Sequence, residues 1–159
     1  MSSLSSVPAA RVRRANDAPL AETGDYVVYW MVAARRLEWN FGLQQAVHWA
    51  EQLGKPLVIL EPLRVGYRWA SDRFHRFVIE GMAEKSARLA DDGPLYYPYV
   101  ENRPGEGTGL LEAIAARACL IVTDEYPAFF LPRMIEAAGE KLGVHLEAVD
   151  GNGLLPLAA

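Results

Sequence analysis

The sequence predicts an α/β fold: a Rossmann-like, doubly wound sheet of five parallel strands in the order 3-2-1-4-5, with helices on both faces. Residues 26–31 are six consecutive apolar or aromatic residues, which is typical of a strand buried on both faces. Such strands occur mainly where helices cover each side of a parallel sheet. From residue 26 onward, short apolar runs alternate with segments of helical periodicity. This alternation indicates βαβ units joined by right-handed crossovers.

After this first strand, the first half of the domain is predicted to contain two helices and a second strand. Apolar residues recur at helical spacing over 43–53, which predicts the first helix, and residues 57–60 form an apolar run suited to a second buried strand. An aromatic-rich loop follows over 62–70. Ser71 is the expected N-cap of the next helix, which a turn at Gly93 ends.

The second half contains three predicted strands. Residues 95–100 form the third strand, and Pro98 predicts that it lies at an edge of the sheet because proline cannot donate a ladder hydrogen bond. Residues 120–123 form a central fourth strand, and 144–149 form a fifth strand with one more solvated face. Helices are predicted between these strands, over 110–118 and 130–138.

Length and composition indicate one globular domain. The first 150 of the 159 residues divide into a flexible N-terminal lead (1–24) and an α/β domain (25–150). The net charge of −4 disfavours a free-standing DNA binder. A single cysteine, Cys119, excludes a disulfide framework and is compatible with a reducing compartment, and no apolar run is long enough to span a bilayer. We therefore expect a cytoplasmic protein without a membrane partner.

The familiar motifs of nucleotide-binding and self-contained catalytic sites are missing. No glycine-rich dinucleotide or P-loop motif follows a strand, and no Gly-x-Ser-x-Gly elbow occurs. His48, His75 and His145 are far apart in sequence and lack metal-ligand spacing. The sequence predicts no metal site and no catalytic residue in this chain.

The predicted topology places a crevice between the first and fourth strands, where the winding direction reverses. The loops that follow these strands carry aromatic and polar side chains, a mixture that a planar heteroaromatic ligand would need. The alternative is that the aromatic residues pack the core and that the arginines pair with nearby acids. The side chains expected near these strand ends are Trp30, Arg35, Arg36, Trp39, Asn40, Tyr67, Trp69, Asp124, Glu125, Tyr126, Phe129, Phe130 and Arg133.

Several of these motifs together resemble the DNA photolyase family, in particular the class II cyclobutane pyrimidine dimer photolyases. The resemblance covers residues 11–159, and the motifs occur in the family's order. It rests on Val28-Tyr29-Trp30-Met31 with Arg35, Arg36 and Asn40, on Phe77 and Gly81, on Val122-Thr123-Asp124 with Pro127, and on Asp150, Asn152, Leu155 and Pro156.

This resemblance implies a light-harvesting role for the domain. In the family, the N-terminal α/β domain holds an antenna chromophore, and 8-hydroxy-5-deazaflavin is our first expectation, with folate second. The antenna passes energy to FAD in a helical C-terminal domain, which binds the flipped-out pyrimidine dimer in DNA and splits it as a carbon–carbon lyase. Residues 151–159 are then the start of the linker to that FAD domain, and the chain alone is expected to be inactive in repair.

The antenna pocket is assigned to nine residues. Trp30, Met31, Arg36, Asn40 and Asp124 match both the family pattern and the predicted crevice. Position alone adds Tyr126, Phe129, Phe130 and Arg133. Many family members have a glycine and an aromatic residue after the fourth-strand aspartate, whereas this chain has Glu125-Tyr126-Pro127, which would reshape the ligand floor.

Two other functions stay open at this point. One is a stand-alone nucleotide-binding module of the universal-stress or electron-transfer-flavoprotein type, which shares the sheet order but normally has a glycine-rich phosphate loop. The other is an interaction domain of a cryptochrome-like protein without repair activity.

Overall fold

The computed structural model describes residues 7–91 and 93–158. Residues 1–6 of the predicted lead and residue 159 of the predicted linker lie outside this range. The strands are β1 (Val12–Arg14), β2 (Tyr26–Trp30), β3 (Leu57–Leu63), β4 (Leu95–Val100), β5 (Ala118–Glu125) and β6 (Leu146–Asp150). The α-helices are α1 (Phe41–Leu53), α2 (Asp72–Arg88), α3 (Leu110–Ala115) and α4 (Leu131–Lys141). The α/β class predicted from the sequence is confirmed.

The described residues form one mostly parallel sheet of six strands in the order β1-β6-β5-β2-β3-β4. This differs from the predicted five-stranded 3-2-1-4-5 arrangement because β1, from the predicted flexible lead, pairs antiparallel with β6. Three residues are too few to show periodicity, so sequence reasoning missed this strand. Pairing of Val12 with Val149 satisfies backbone groups that β6 would otherwise leave free at a sheet edge. At the opposite edge lies β4, the strand in which Pro98 predicted an edge position.

Helices cover both faces of the sheet, and side chains alternate between the two faces along each strand. On one face, Val27, Tyr29 and Met31 belong to a core that includes Ala46 of α1. On the other face, Val28 and Trp30 belong to a second core with residues of α3 and α4. These side chains are almost completely buried, and each contributes about 1.5–3 kcal/mol through the hydrophobic effect.

The fifth predicted strand is more buried than its alternation indicated. All of β6 is buried, including Glu147, which is 8% exposed. Its carboxylate accepts hydrogen bonds from Trp49 Nε1 at 2.8 Å and Gln45 Nε2 at 2.9 Å, both on α1. A polar residue in an alternating strand therefore faces a helix with matching donors, and not solvent.

The chain passes from β2 to β3 and β4 in one direction and then returns to β5, on the other side of β2. The winding direction therefore reverses between β2 and β5, and the carboxyl ends of these strands mark the expected position of a ligand site. Within the described ranges, the longest helix is α2 with 17 residues, and no helix there has the length and apolar character needed to cross a membrane.

Candidate functional site

Asp124, near the carboxyl end of β5, organises the switch point between β2 and β5. Its side chain is buried, and Oδ2 accepts hydrogen bonds from the backbone amides of Val32, Ala33 and Ala34 at 3.0, 2.8 and 3.0 Å. Oδ1 accepts a hydrogen bond from the Tyr29 hydroxyl at 2.5 Å. The β2–α1 loop (residues 31–40) is therefore folded around this carboxylate.

Asn40 completes this arrangement from the start of α1. Its Oδ1 accepts a hydrogen bond from Leu43 N at 3.0 Å, which makes Asn40 the N-cap of the helix. Its Nδ2 lies 2.9 Å from the Tyr29 hydroxyl and also faces the carbonyls of Ala34 and Arg36. We call Tyr29, Asn40 and Asp124 the switch-point network.

The electrostatics of the switch-point network keep Tyr29 neutral. Burial, followed by the negative charge of Asp124, raises the pKa of Tyr29 well above its ordinary value. The first turn of α1 approaches so closely that a Cβ at Gly42 would lie 2.9 Å from Asp124 Oδ1. Asn40 and Asp124 therefore lie together at the switch point, but their polar atoms already have partners within the protein.

The other predicted site residues are divided between the core and the surface. Trp30 and Met31 are 5% and 0% exposed and pack into the two cores. Arg36 is exposed, and its guanidinium donates to the Trp39 carbonyl in its own loop. Arg133 is exposed on α4. None of these four side chains, and neither Asn40 nor Asp124, lines the cavity described next.

A cavity of about 300 Å³ opens at the same edge of the sheet, between the β3–α2 loop (64–71) and the β5–α4 loop (126–130). This volume lies within the range of small-molecule sites. Of the predicted site residues, Phe129 and Phe130 line it, while Tyr126 stacks on Phe129 with the rings 6.5 Å apart and an interplanar angle of 4°. We call it the aromatic cavity; it is lined by Val32, Arg35, Pro62, Leu63, Arg64, Tyr67, Trp69, Phe74, Phe129, Phe130, Leu131 and Met134.

Aromatic contacts join the two loops across the aromatic cavity. Tyr67 lies 5.9 Å from Phe130 and 6.4 Å from Phe74 between ring centroids, and Trp69 meets Phe129 edge-on at 5.6 Å. Phe129 has a φ of 59° and is 68% exposed. A left-handed backbone at a bulky residue is strained, and such strain is concentrated at functional sites. The aromatic-rich segment 62–70 was the sequence signal for this wall, but Tyr67 and Trp69 were not among the nine assigned residues.

Two buried polar atoms have no hydrogen-bond partner among the described residues, one on a residue that lines the aromatic cavity and one on its neighbour. They are the hydroxyl of Tyr67 and Nε2 of His75, whose rings lie 5.7 Å apart. Burial raises the pKa of Tyr67, although nearby Arg35 opposes that shift, so the hydroxyl keeps its proton and can donate it. An unpaired buried polar group costs free energy, which a ligand with an acceptor atom would recover.

The wall of the aromatic cavity is anchored by a buried carboxylate on β3. Glu61 is completely buried and pairs with Arg35 at 3.0 Å and with Lys85 at 3.3 Å. Tyr96 donates its hydroxyl proton to the same carboxylate at 2.5 Å. Burial and then the hydrogen bond to Glu61 raise the pKa of Tyr96 strongly. Glu61 thus holds Arg35 in place at the cavity.

A second carboxylate, Glu101, braces the β3–α2 loop. Its side chain is 3% exposed and accepts hydrogen bonds from the amides of Val65 at 3.0 Å, Gly105 at 2.9 Å and Gly107 at 3.3 Å. Burial alone would raise the pKa of Glu101, but these amides and the charge of Arg64 outweigh it and lower the pKa. Glu101 therefore ties the cavity loop to the loop that follows β4.

Among the described residues, no group of three or more histidine, cysteine, aspartate or glutamate side chains could hold a metal ion.

The fold and the site define a doubly wound α/β domain with an aromatic cavity at the carboxyl edge of its sheet. No family model matches the chain. The chain is 31% identical over 151 residues to a deoxyribodipyrimidine photo-lyase of Methanothermobacter thermautotrophicus. The match covers 95% of this chain and 33% of that relative, so the chain spans one third of the relative's length. This similarity confirms the resemblance to DNA photolyases that the sequence motifs predicted, and it is consistent with an N-terminal photolyase domain.

Proposed function

We propose that this domain is the light-harvesting part of a DNA photolyase and that the aromatic cavity holds its antenna chromophore, 8-hydroxy-5-deazaflavin in the first place and a folate in the second. The similarity to a photolyase supports the family context. The observation that carries the ligand site is the combination of facing aromatic rings around a cavity of about 300 Å³ with the buried, unpartnered hydroxyl of Tyr67, a residue of its wall. A flat ring system with polar edges fits that combination.

The residues present suit such a chromophore. Tyr67, Phe74 and Phe130 offer ring faces and edges, and the Tyr67 hydroxyl offers a donor to a ring oxygen or nitrogen. Trp69 and Phe129 are exposed at the rim, where a ligand would cover them. The chromophore itself would supply absorption of blue or near-ultraviolet light. The protein would hold it, exclude water from its faces and set its orientation.

In this proposal, the repair reaction itself takes place in a domain other than the one described here. Energy absorbed here would pass to FAD in a helical C-terminal domain, which would bind DNA that contains a pyrimidine dimer and split the dimer. No residue of this chain is assigned a catalytic role. We expect the purified domain to leave dimer-containing oligonucleotides unrepaired under light.

A stand-alone nucleotide-binding module would need free backbone amides to bind phosphate, and the strand–helix loop that should supply them does not offer them. In doubly wound folds of that kind, the amides of the first strand–helix loop bind phosphate. Here the amides of Val32, Ala33 and Ala34 bind the carboxylate of Asp124. Because the loop already carries an internal anion, we expect no binding in an ATP titration.

The antenna proposal is tested by titrating the domain with 8-hydroxy-5-deazaflavin and, separately, with a reduced folate. Binding is expected to shift the absorbance of the ligand and change its fluorescence, and Phe130→Ala should weaken it because a stacking surface is lost. Tyr97→Phe, at a half-exposed tyrosine on β4 outside the cavity, is the matched control. The proposal is wrong if neither ligand responds, or if Phe130→Ala binds as well as Tyr97→Phe.

A further inference from the structure

We propose that the aromatic cavity selects planar aromatic ligands that carry a negative charge, and that Lys85 sets this selectivity from outside the cavity by neutralising Glu61. The inference rests on the proposed function in that it takes the aromatic cavity as the ligand site. Beyond the proposed function, it specifies that the ligand is an anion and that Lys85 controls the preference for that charge.

The charged residues that line the cavity have one sign. Arg35 and Arg64 line it, and no acidic side chain of the described residues does. The chain as a whole has a net charge of −4, so this positive pair runs against the average charge of the protein. A cavity with apolar walls and two guanidinium groups favours an anion, because charges interact more strongly where water is excluded.

Arg35 would contribute little if Glu61 were its only partner, since the two charges would cancel. Lys85, however, lies 3.3 Å from the Oε2 atom of Glu61, while Arg35 lies 3.0 Å from Oε1. The three ions together carry one positive charge. Lys85 is 7% exposed and does not line the cavity, whereas Arg35 does, so the guanidinium of Arg35 is the member of this group that a ligand in the cavity would meet.

The same contacts fix the position of Arg35. Its second guanidinium nitrogen donates to the Pro62 carbonyl at 2.9 Å, and Lys85 Nζ approaches the Arg35 carbonyl at 3.4 Å. A guanidinium held on two sides loses little entropy when it binds a further group. Lys85 is therefore a positioning residue that acts on the ligand through Glu61 and Arg35.

Arg64 provides the second charge at the mouth of the cavity. Its side chain is exposed and, among the described residues, makes no ion pair within 4 Å. The Tyr67 hydroxyl adds an unpartnered donor nearby in the wall. Two guanidinium groups and one hydroxyl donor, with no acceptor carboxylate in the lining, favour an ionised oxygen on the ligand.

The test compares two dyes with the same aromatic framework. 1-Anilinonaphthalene-8-sulfonate carries a sulfonate, and N-phenyl-1-naphthylamine lacks it. Fluorescence titration of the wild-type domain is expected to give an affinity about tenfold higher for the sulfonate, which is the scale of one charge-assisted hydrogen bond. Phe130→Ala should weaken both dyes, which places them in the cavity.

Lys85→Met should reduce the ratio of the two affinities at least threefold, because Glu61 then cancels the charge of Arg35. Lys141→Met removes the same charge from an exposed lysine at the end of α4 and should leave the ratio unchanged. Lys85→Arg should preserve the ratio. Arg64→Gln, at an exposed side chain without an ion pair within 4 Å among the described residues, should also reduce it, so the proposal can be tested even if Lys85→Met does not fold.

The inference is overturned if the neutral dye binds the wild-type domain as tightly as the sulfonate, or if Lys85→Met and Arg64→Gln change the ratio no more than Lys141→Met does. Its failure is separable from that of the proposed function. Loss of chromophore binding with an intact preference for the sulfonate would reject the antenna alone. Chromophore binding without a charge preference would reject the selectivity alone.

Discussion

The switch-point network and the aromatic cavity lie at the same edge of the sheet, yet they use their polar atoms in opposite ways. In the switch-point network, Asp124 receives four hydrogen bonds and Asn40 caps α1, so the network is closed within the protein. In the wall of the aromatic cavity, the Tyr67 hydroxyl has no partner among the described residues, and neither has Nε2 of the adjacent His75. Satisfied polar groups hold a fold together, whereas an unsatisfied one buried in the wall of a cavity is a group that a ligand could engage.

The comparison also separates two kinds of aromatic residue. Tyr29 is completely buried and neutral, with its hydroxyl bonded to Asp124. Phe129 is 68% exposed on a strained backbone. The nine assigned residues therefore differ in kind: those matched by the family motif at the switch point, such as Asp124, are bonded within the fold, whereas Phe129, which was assigned by position alone, is exposed at the rim of the cavity.

The largest effect is expected from Asp124→Ala in the switch-point network. The substitution leaves three loop amides and the Tyr29 hydroxyl without their acceptor, and we expect a loss of about 3–5 kcal/mol in the free energy of unfolding. Urea denaturation measures this, with Asp17→Asn at an exposed site as the control. A loss below about 1 kcal/mol, smaller than a single unsatisfied buried group costs, would show that the network is not structural.

Tyr29→Phe should have the next largest effect. It removes one hydrogen bond from Asp124 and one from Asn40 but preserves the ring that packs in the core. We expect a loss of about 1–2 kcal/mol in unfolding free energy. Thermal unfolding of this variant beside wild type is the measurement, and an unchanged Tm would contradict the assigned role of the hydroxyl.

Glu101 makes the stability of the cavity region depend on pH, because its negative charge accepts the hydrogen bonds that hold the β3–α2 loop. Its pKa in the folded protein is lowered from the ordinary value of 4.5, so its contribution to stability is present above that value and is lost as the pH falls through the folded pKa. Glu101→Gln should cost about 1–2 kcal/mol at pH 7 and flatten the acid limb of the stability profile.

The control for Glu101 is Glu112→Gln, at an exposed glutamate on α3. It should leave both the stability at pH 7 and the acid limb as they are in wild type. If the two variants give the same stability profile in urea titrations from pH 3 to pH 8, the charge of Glu101 does not stabilise the cavity loop.

The smallest effect on stability is expected from Tyr67→Phe, and this sharpens the contrast with Tyr29→Phe. The Tyr67 hydroxyl has no partner to lose, so the free energy of unfolding should change by no more than about 0.5 kcal/mol. Affinity for the bound chromophore or for the sulfonate dye should nevertheless fall several-fold, because the donor in the wall is gone. A destabilisation equal to that of Tyr29→Phe would contradict this prediction, because it would show that the Tyr67 hydroxyl stabilises the fold as that of Tyr29 does.

Much of the fold could be predicted from local patterns. The buried run of β2, the N-cap at Ser71 and the edge position of β4 all depend on neighbouring residues or on one residue's backbone chemistry. The additional strand β1 could not be predicted in this way, because Val12–Arg14 forms a strand only through its pairing with β6. The burial of Glu147 likewise depends on donors of α1 that lie about a hundred residues away in sequence.

The position of the open cavity could not be predicted from the sequence, for the same reason. The nine assigned residues follow the two strands at the switch point, but the open cavity lies between the loops after β3 and β5, so that only Phe129 and Phe130 line it. Whether the remaining seven affect ligand binding stays a prediction. Sequence could place polar residues at a strand end, but it could not show that Asp124 and Asn40 would bond to the backbone of their own loops.

The amino-acid sequence alone thus determined the α/β class, the buried runs and the relation to photolyases, since these depend on periodicity, turn chemistry and residue identity. The tertiary structure alone decided which buried polar groups have partners and which do not. That distinction depends on distances between segments far apart in the chain, where a few ångströms separate a hydrogen bond from an unpartnered donor.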